Sequence, residues 1–510
     1  MKLEISNWLG GISFSDRLGR EGSYFIGKAV NPFNTSFPGY LCPGPEPTTI
    51  TNTVTGVVSS KVDAVNNKGY FVGGSNPGKI TQLNLVTELA TFGTEYPHNI
   101  SNTAHAGHSA SAGEDCIIYP VSSTHYLLYS WNDNTDGDVG RVGLSGALTF
   151  DDDFLSSASA SGAKLTGGVS MPHPMLEWGE SGFLYIADGR NLHQFDGQTG
   201  ANGTFTANKF QLPYGWVITS LFDANDFIGI CAKYFMGTTW SWGNSYKGRT
   251  TVFFWDGVSS SYNKRISVED PQIKASGNLN GEFYIFTLDA NGKGNIKRFD
   301  GNRFIREELI ETNVSTETTG HYPASYGSVI VHNNMFLIGT KDLGNLFMYG
   351  SPKEGISKAL INLISFTATN TEISAPIHGL ALYFGTYNSD SGNYGIRKAS
   401  LTGTDSARII YKSLYYELPQ KARINYAKLY FRALTSGQGD DVFLDYDYGA
   451  GNQQLGNISF AEDGGTTVKK LSGKNIECNN FRIVIQKDEG AGIKYGKIII
   501  DYDILENSPK

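Results

Sequence analysis

Phe195-Asp196-Gly197, Trp255-Asp256-Gly257 and Phe299-Asp300-Gly301 each close an aromatic-rich run, and Met348-Tyr349-Gly350 follows as a fainter relative. The glycines of this series stand 60, 44 and 49 residues apart. An interval of that length holds one small antiparallel sheet, and repeated sheets of this size bury their faces against one another when arrayed radially. The spacing therefore predicts an all-β chain built as a β-propeller. It says far less about chemistry, because such a ring is a scaffold that carries unrelated functions.

Outward from these motifs the remaining units fall into place. Lys68–Gly74 and Lys79–Leu85 form the first, Cys116–Tyr119 and Tyr126–Tyr129 the second, and Gly182–Ala187 with Leu192–Gly197 the third. The fourth runs from Ile228–Ala232 across an insertion to Thr251–Trp255, and the fifth turns at Asp289-Ala290-Asn291-Gly292, where Asn-Gly supplies the positive φ of a hairpin. Ser328–Val331, Met335–Gly339 and Asn345–Tyr349 make a sixth, Gly379–Gly385 and Tyr394–Ala399 a seventh. Seven blades are expected over residues 55–411. Residues 1–50, punctuated by Pro32, Pro38, Pro43, Pro45 and Pro47, read as an extended N-terminal segment lying along the body or a neighbouring subunit. Near residue 412 the aromatic-Asp-Gly closure stops while alternation continues, so residues 412–510 are expected to form a small C-terminal β-sandwich.

Composition supports short strands and tight turns. The chain has 61 Gly, 28 Tyr, 29 Phe and 7 Trp in 510 residues, and glycine supplies turn conformations while aromatics suit a half-buried pleated surface. A net charge of -8 argues against a nucleic-acid footprint, for which Lys469-Lys470 and Lys474 are the nearest basic cluster. The first residues lack the apolar core of a secretion signal, and no window approaches the about 20 apolar residues of a membrane-spanning helix, so synthesis and assembly in a cytoplasm are expected. Cys42, Cys116, Cys231 and Cys478 are scattered without a CxxC pair, which predicts single buried thiols, with a disulfide as the alternative.

Candidate sites compete with plainer readings. Asn132, Asn134, Asp136 and Asp138 echo a calcium loop, with Asp151-Asp152-Asp153 nearby, but the closing Glu is replaced by Gly143 and a polar hairpin tip accounts for the same residues. His105 and His108, with His98 and His125 not far away, suggest a metal only if further ligands converge. His173 lies between two prolines in an extended turn. Asp63, Glu177 and Asp188 are candidate glycosidase carboxylates, against which stands the usual capping role of such residues. Trp240, Trp242 and Tyr246, in the insertion of the fourth unit, are the favoured interaction residues, suited to a protein contact or to a sugar ring. No nucleophile elbow, P-loop or dinucleotide fingerprint is present, and no catalytic residue and no cofactor is expected.

In its order of parts the chain resembles virion proteins of tailed bacteriophages, especially propeller-containing tail components. The likeness is carried by Trp8-Leu9-Gly10-Gly11-Ile12, Phe37-Pro38-Gly39-Tyr40-Leu41 and the stretch Lys421–Phe431. The resemblance implies a non-enzymatic structural role in a tail tip, baseplate, nozzle or fibre region, in several copies, with other virion proteins as partners. A host surface glycan or receptor is the alternative partner, and a glycosidase or depolymerase a further one.

Overall fold

The structure is a computed structural model. It describes all residues except 14, 16, 19–20, 53, 55, 74–78, 96–111, 133–135, 146–147, 149, 152–153, 156–164, 167–170, 181, 200–201, 236–248, 313–320, 322, 342–343, 352–355, 367–370, 389–392, 404–408, 491 and 506–510. Seven antiparallel sheets follow one another along the chain, the first six running in chain order from their first strand outward. Their first strands are Val57–Asp63, Ala112–Val121, Met175–Trp178, Trp216–Asp223, Gln272–Leu279, Val329–His332 and Thr371–His378. Each first strand touches the first strand of the next sheet, and that of the seventh touches that of the first. These contacts define a closed seven-bladed β-propeller.

The ring closes with strands from opposite ends of the propeller sequence. The seventh blade takes Thr371–His378, Leu382–Asn388 and Asn393–Ala399 from its end, and its outer strand, Thr48–Thr51, from before the first blade. Thr48 stands opposite Lys398 and Thr51 opposite Ile396. Because the two halves of this blade are fixed by distant parts of the chain, opening the ring breaks a whole ladder at once. The N-terminal segment 1–50, expected to lie extended along the body or a neighbouring subunit, supplies strands to the fold. Its prolines separate short strands without excluding them: Cys42–Pro43 pairs with Val30–Asn31, and Thr48 follows the last proline of the run.

The aromatic-Asp-Gly motifs lie at the turns between third and fourth strands. Trp255 and Phe195 are fully buried, and Trp255 stacks on Phe210 at 4.7 Å and meets Tyr185 edge-on at 5.9 Å, joining the third and fourth blades. Burying such a ring contributes about 1.5–3 kcal/mol, which explains why the position recurs. Asp256 accepts hydrogen bonds from the Val258 and Ser259 amides at 3.0 and 2.7 Å and from the Ser259 hydroxyl at 2.6 Å, and Asp300 accepts from the Asn302 and Arg303 amides at 2.8 and 2.9 Å. These donors hold both carboxyls below the ordinary range. Gly257 takes φ +78° and a Cβ there would lie 2.7 Å from the Trp178 ring, so the glycine serves backbone and packing together.

Apart from the pair Val30–Asn31 and Cys42–Pro43, the remaining described strands build one ten-stranded sheet. Tyr416–Phe431 is long enough to change partners: Tyr416 and Glu417 pair with Glu477–Gly490, whereas Tyr426 to Tyr430 lie between Val468–Ser472 and Tyr495–Ile504. The sheet is not built from residues 412–510 alone, as the sequence reading expected. Lys2–Ile5 pairs with its last strand, and Ser23–Lys28 pairs with Ile410–Ser413. Apolar side chains of this sheet, among them Ile424, Leu429, Ile483 and Ile498, share one core with Trp8, Tyr24 and Leu41 and with Tyr284, Phe336 and Leu360 of the fifth and sixth blades. The outer strand of the sixth blade, Ala359–Ser365, is consequently buried along its whole length. The N-terminal residues cover it, with the Ala29 amide donating to Asn362 Oδ1 at 2.9 Å.

Candidate interaction surface

The residues singled out in the sequence fall in different places. Asn132 ends the strand Thr124–Asn132 and is buried, its amide nitrogen donating to the Met171 carbonyl at 2.8 Å and to Glu114 at 3.2 Å. Asp138, also buried, lies opposite Trp131 and accepts from the Val139 amide at 2.7 Å. Burial pushes the Glu114 carboxyl up to about 8, so at neutral pH it is largely protonated and poorly suited to a cation. Asn134, Asp152 and Asp153 and the side chain of Asp136 lie outside the described residues, as do His98, His105 and His108 and the favoured Trp240, Trp242 and Tyr246. Among the described residues no three His, Cys, Asp or Glu side chains converge as a metal site.

The candidate carboxylates do not meet. Asp63 caps its own turn, accepting from the Val65 and Asn66 amides at 3.1 and 3.2 Å and from the Asn66 side chain at 2.6 Å. Asp188 accepts from the Thr166 amide and hydroxyl at 2.9 and 3.0 Å and faces His193 Nε2 at 3.4 Å. Burial raises the Asp188 carboxyl, but the hydrogen bond from His193 and the charges of His173 and His193 outweigh it and leave the group below its ordinary range. His173, buried, places Nδ1 3.0 Å from the Ala187 carbonyl, and desolvation lowers its basicity. Glu177 is opposite Leu184, four residues along the strand from Asp188. At about 3.3 Å per residue that separates the two by roughly 13 Å, beyond the spacing of either glycosidase geometry.

What the inner strands carry is a structural relay. Asp115 of the second blade accepts the Ser59 hydroxyl of the first at 2.7 Å and the Met175 amide of the third at 2.9 Å. Between the fourth and fifth blades the Ser220 and Ser276 hydroxyls meet at 2.5 Å, and Lys297 Nζ reaches Asp270 at 2.9 Å beside a polar cleft of about 490 Å³. A second cleft, about 700 Å³, opens between the first hairpins of the first two blades, with Val62, Ile118, Tyr126 and Leu144 as apolar walls and His125 and Asn66 among its polar lining. All four cysteines are buried free thiols, pushed up to about 12 chiefly by desolvation. The described residues thus offer surfaces, clefts and staples between blades.

The sequence reading missed the outer face of the terminal sheet. Its signal is the alternation Tyr426, Lys428, Tyr430, Arg432, which keeps Ala427, Leu429 and Phe431 inside and sends the others outward. The expected basic pair divides there: Lys469 bonds Asp463 at 2.6 Å, whereas Lys470 lies over the Tyr426 ring.

The fold and its surfaces define an all-β seven-bladed propeller protein. No family model and no curated protein matches the chain. Among solved structures it is similar to Raptor of Chaetomium thermophilum, with 11% identity and a TM-score of 0.42 over 70% of this chain and 29% of that one. The Dos1 propeller gives 11% identity and 0.43 over 69% of this chain and 95% of that one. The β-propeller domain of Myceliophteria thermophila Cps50 (Swd1) gives 10% identity and 0.41, covering 69% of this chain and 99% of that one.

Proposed function

We propose that the chain is a non-enzymatic structural protein, a stiff scaffold presenting several interfaces, and that it serves the tail of a phage virion as a tip, baseplate, nozzle or fibre-attachment component. The observation that carries the scaffold reading is the single apolar core running from the fifth and sixth blades through the N-terminal strands into the terminal sheet. Such a core couples the ring and the sheet into one rigid body, so that load or symmetry imposed at one surface reaches the other. The assignment to a virion rests on the resemblance in the order of parts. Other virion proteins and further copies of this chain are the partners it requires, in a symmetric assembly put together in the host cytoplasm. No described helix is long and apolar enough to cross a membrane, which agrees with docking onto protein.

The test is made on particles. Tail-bearing particles purified from a lysate that contains the chain are digested and quantified by mass spectrometry. A fixed number of copies per particle, retained through high salt, supports the reading. Absence from the particles, with the chain left in the soluble fraction, overturns the virion assignment. Truncation of residues 1–50 is unsuitable as a test, because those residues complete the seventh blade and the terminal sheet.

A further inference from the structure

The outer face of the terminal sheet places cations on aromatic rings. Lys428 stands opposite Lys470 on one side, and Tyr430 stands opposite Lys497 on the other. Lys470 Nζ lies 3.7 Å from the centre of the Tyr426 ring, and Lys428 and Lys497 lie 4.9 and 5.4 Å from that of Tyr430. Past the end of the strand, Arg432 stacks over Phe37 at 5.1 Å and Tyr40 at 5.3 Å, with Lys494 over Phe37 at 4.9 Å. Lys497 also pairs with Glu4 at 3.2 Å. Among the described residues Lys428, Lys470 and Arg432 have no carboxylate partner. The face opens into a cavity of about 720 Å³ lined by Tyr40, Tyr430, Arg432, Thr467 and Gly496 among others.

Charges held this way are oriented but not neutralised. An ammonium seated on a ring keeps its other N–H bonds free for an anion, and a guanidinium stacked over a ring leaves the edge of its fork open to a carboxylate. The cavity beside these cations is large enough to admit a sugar ring, and Thr467 adds a hydroxyl for a sugar hydroxyl. We propose that this face is a binding site for an acidic polysaccharide, a uronate-type polymer whose carboxylates sit on Lys428, Lys470 and Arg432 and whose hydroxyls enter the cavity beside Thr467. One observation favours it over single-stranded nucleic acid. A base stacking on Tyr430 displaces an ammonium already over that ring, whereas a carboxylate adds to the ammonium and leaves the ring contact in place. The site stands independently of the virion reading, since it needs only the terminal sheet and the Phe37 and Tyr40 rings packed beside it.

The experiment is a titration of the full chain with polygalacturonate fragments at low salt, followed by calorimetry, with neutral dextran and oligo(dT) as parallel probes. Saturable binding of polygalacturonate is expected, weakening as salt rises, with none to dextran. Lys428→Glu, and Tyr430→Ala by removing the ring that seats Lys428, each weaken it about tenfold or more, the scale of one lost charge-assisted contact. Lys209→Glu, which makes the same charge change on an exposed strand of the third blade, leaves it within about twofold. Lys428→Gln serves if the charge reversal lowers the melting temperature, and a smaller weakening in the same direction is expected. Absence of saturable polygalacturonate binding, an equal response of Lys428→Glu and Lys209→Glu, or tighter binding of oligo(dT) each overturns the proposal.

Discussion

Replacing Trp8 with alanine tests whether the ring and the terminal sheet share one core. Trp8 is 2% exposed, meets Tyr411 edge-on at 5.6 Å, and belongs to the cluster that reaches Leu360 of the sixth blade. A buried aromatic removes about 150–250 Å² from water, worth about 4–6 kcal/mol at about 25 cal/mol per Å². Among the described residues its indole Nε1 has no hydrogen-bond partner, and an unmade hydrogen bond costs about 1–3 kcal/mol. Relief of that cost leaves a net loss on truncation of about 1–5 kcal/mol, overlapping the range of other large-to-small core changes. Trp8→Phe removes the orphaned N–H while keeping most of the ring, so its cost is about 1.5 kcal/mol or less. The assay is urea unfolding followed by tryptophan fluorescence, which samples the propeller, and by amide exchange in Tyr495–Ile504. Both probes are expected to shift together in Trp8→Ala. A loss below about 1 kcal/mol, or a shift confined to the terminal sheet, refutes the shared core.

Three further outcomes follow from the same geometry. Gly257→Ala combines a positive φ with a clash against Trp178, whereas Gly301→Ala, at φ +100°, meets open space; the first is expected to lower stability by about 1–2 kcal/mol more than the second, measured as paired melting curves. Asp440 is buried, accepts from the Tyr495 hydroxyl at 2.8 Å, and is raised to about 8 by burial, so the folded state keeps its proton where the unfolded state has lost it. Its contribution to stability is full below the unfolded carboxyl's pKa and declines as pH rises toward 8; Asp440→Asn should therefore gain on the wild type between pH 5 and pH 8, seen in the difference of their denaturation midpoints. With thiols raised to about 12 and buried, none of the four cysteines should react with a disulfide reagent at neutral pH until denaturant is added, when all four should; rapid labelling of the native chain would count against the packing around them.

The blade repeat was legible because its signal is local. Aromatic, Asp and Gly in succession report a buried ring, a capped turn and a backbone conformation within one hairpin, and the count of seven followed. The N-terminal strands were not legible, because Thr48–Thr51 finds its partner at Asn393–Ala399 and Ser23–Lys28 at Ile410–Ser413, far away in sequence. Short segments between prolines carry little periodicity of their own. The buried outer strand Ala-Leu-Ile-Asn-Leu-Ile-Ser, residues 359–365, did advertise a covered edge, but not what covers it. Of the site residues, Asp63 and Asp188 took the capping roles weighed against them, while the alternation from Tyr426 to Arg432 stood in plain view and was read only as part of the terminal β segment and of the phage likeness.

The closed ring is tested most directly by trapping the seam of the seventh blade. Thr48 and Lys398 stand opposite one another there, close enough in a ladder for a disulfide. The double variant Thr48→Cys, Lys398→Cys is expected to form an intramolecular bond on mild oxidation, recovered by mass spectrometry as one linked tryptic peptide pair from folded monomeric chain. Failure of these two positions to link, or linkage only between separate chains, would contradict a ring closed by its own N-terminal strand.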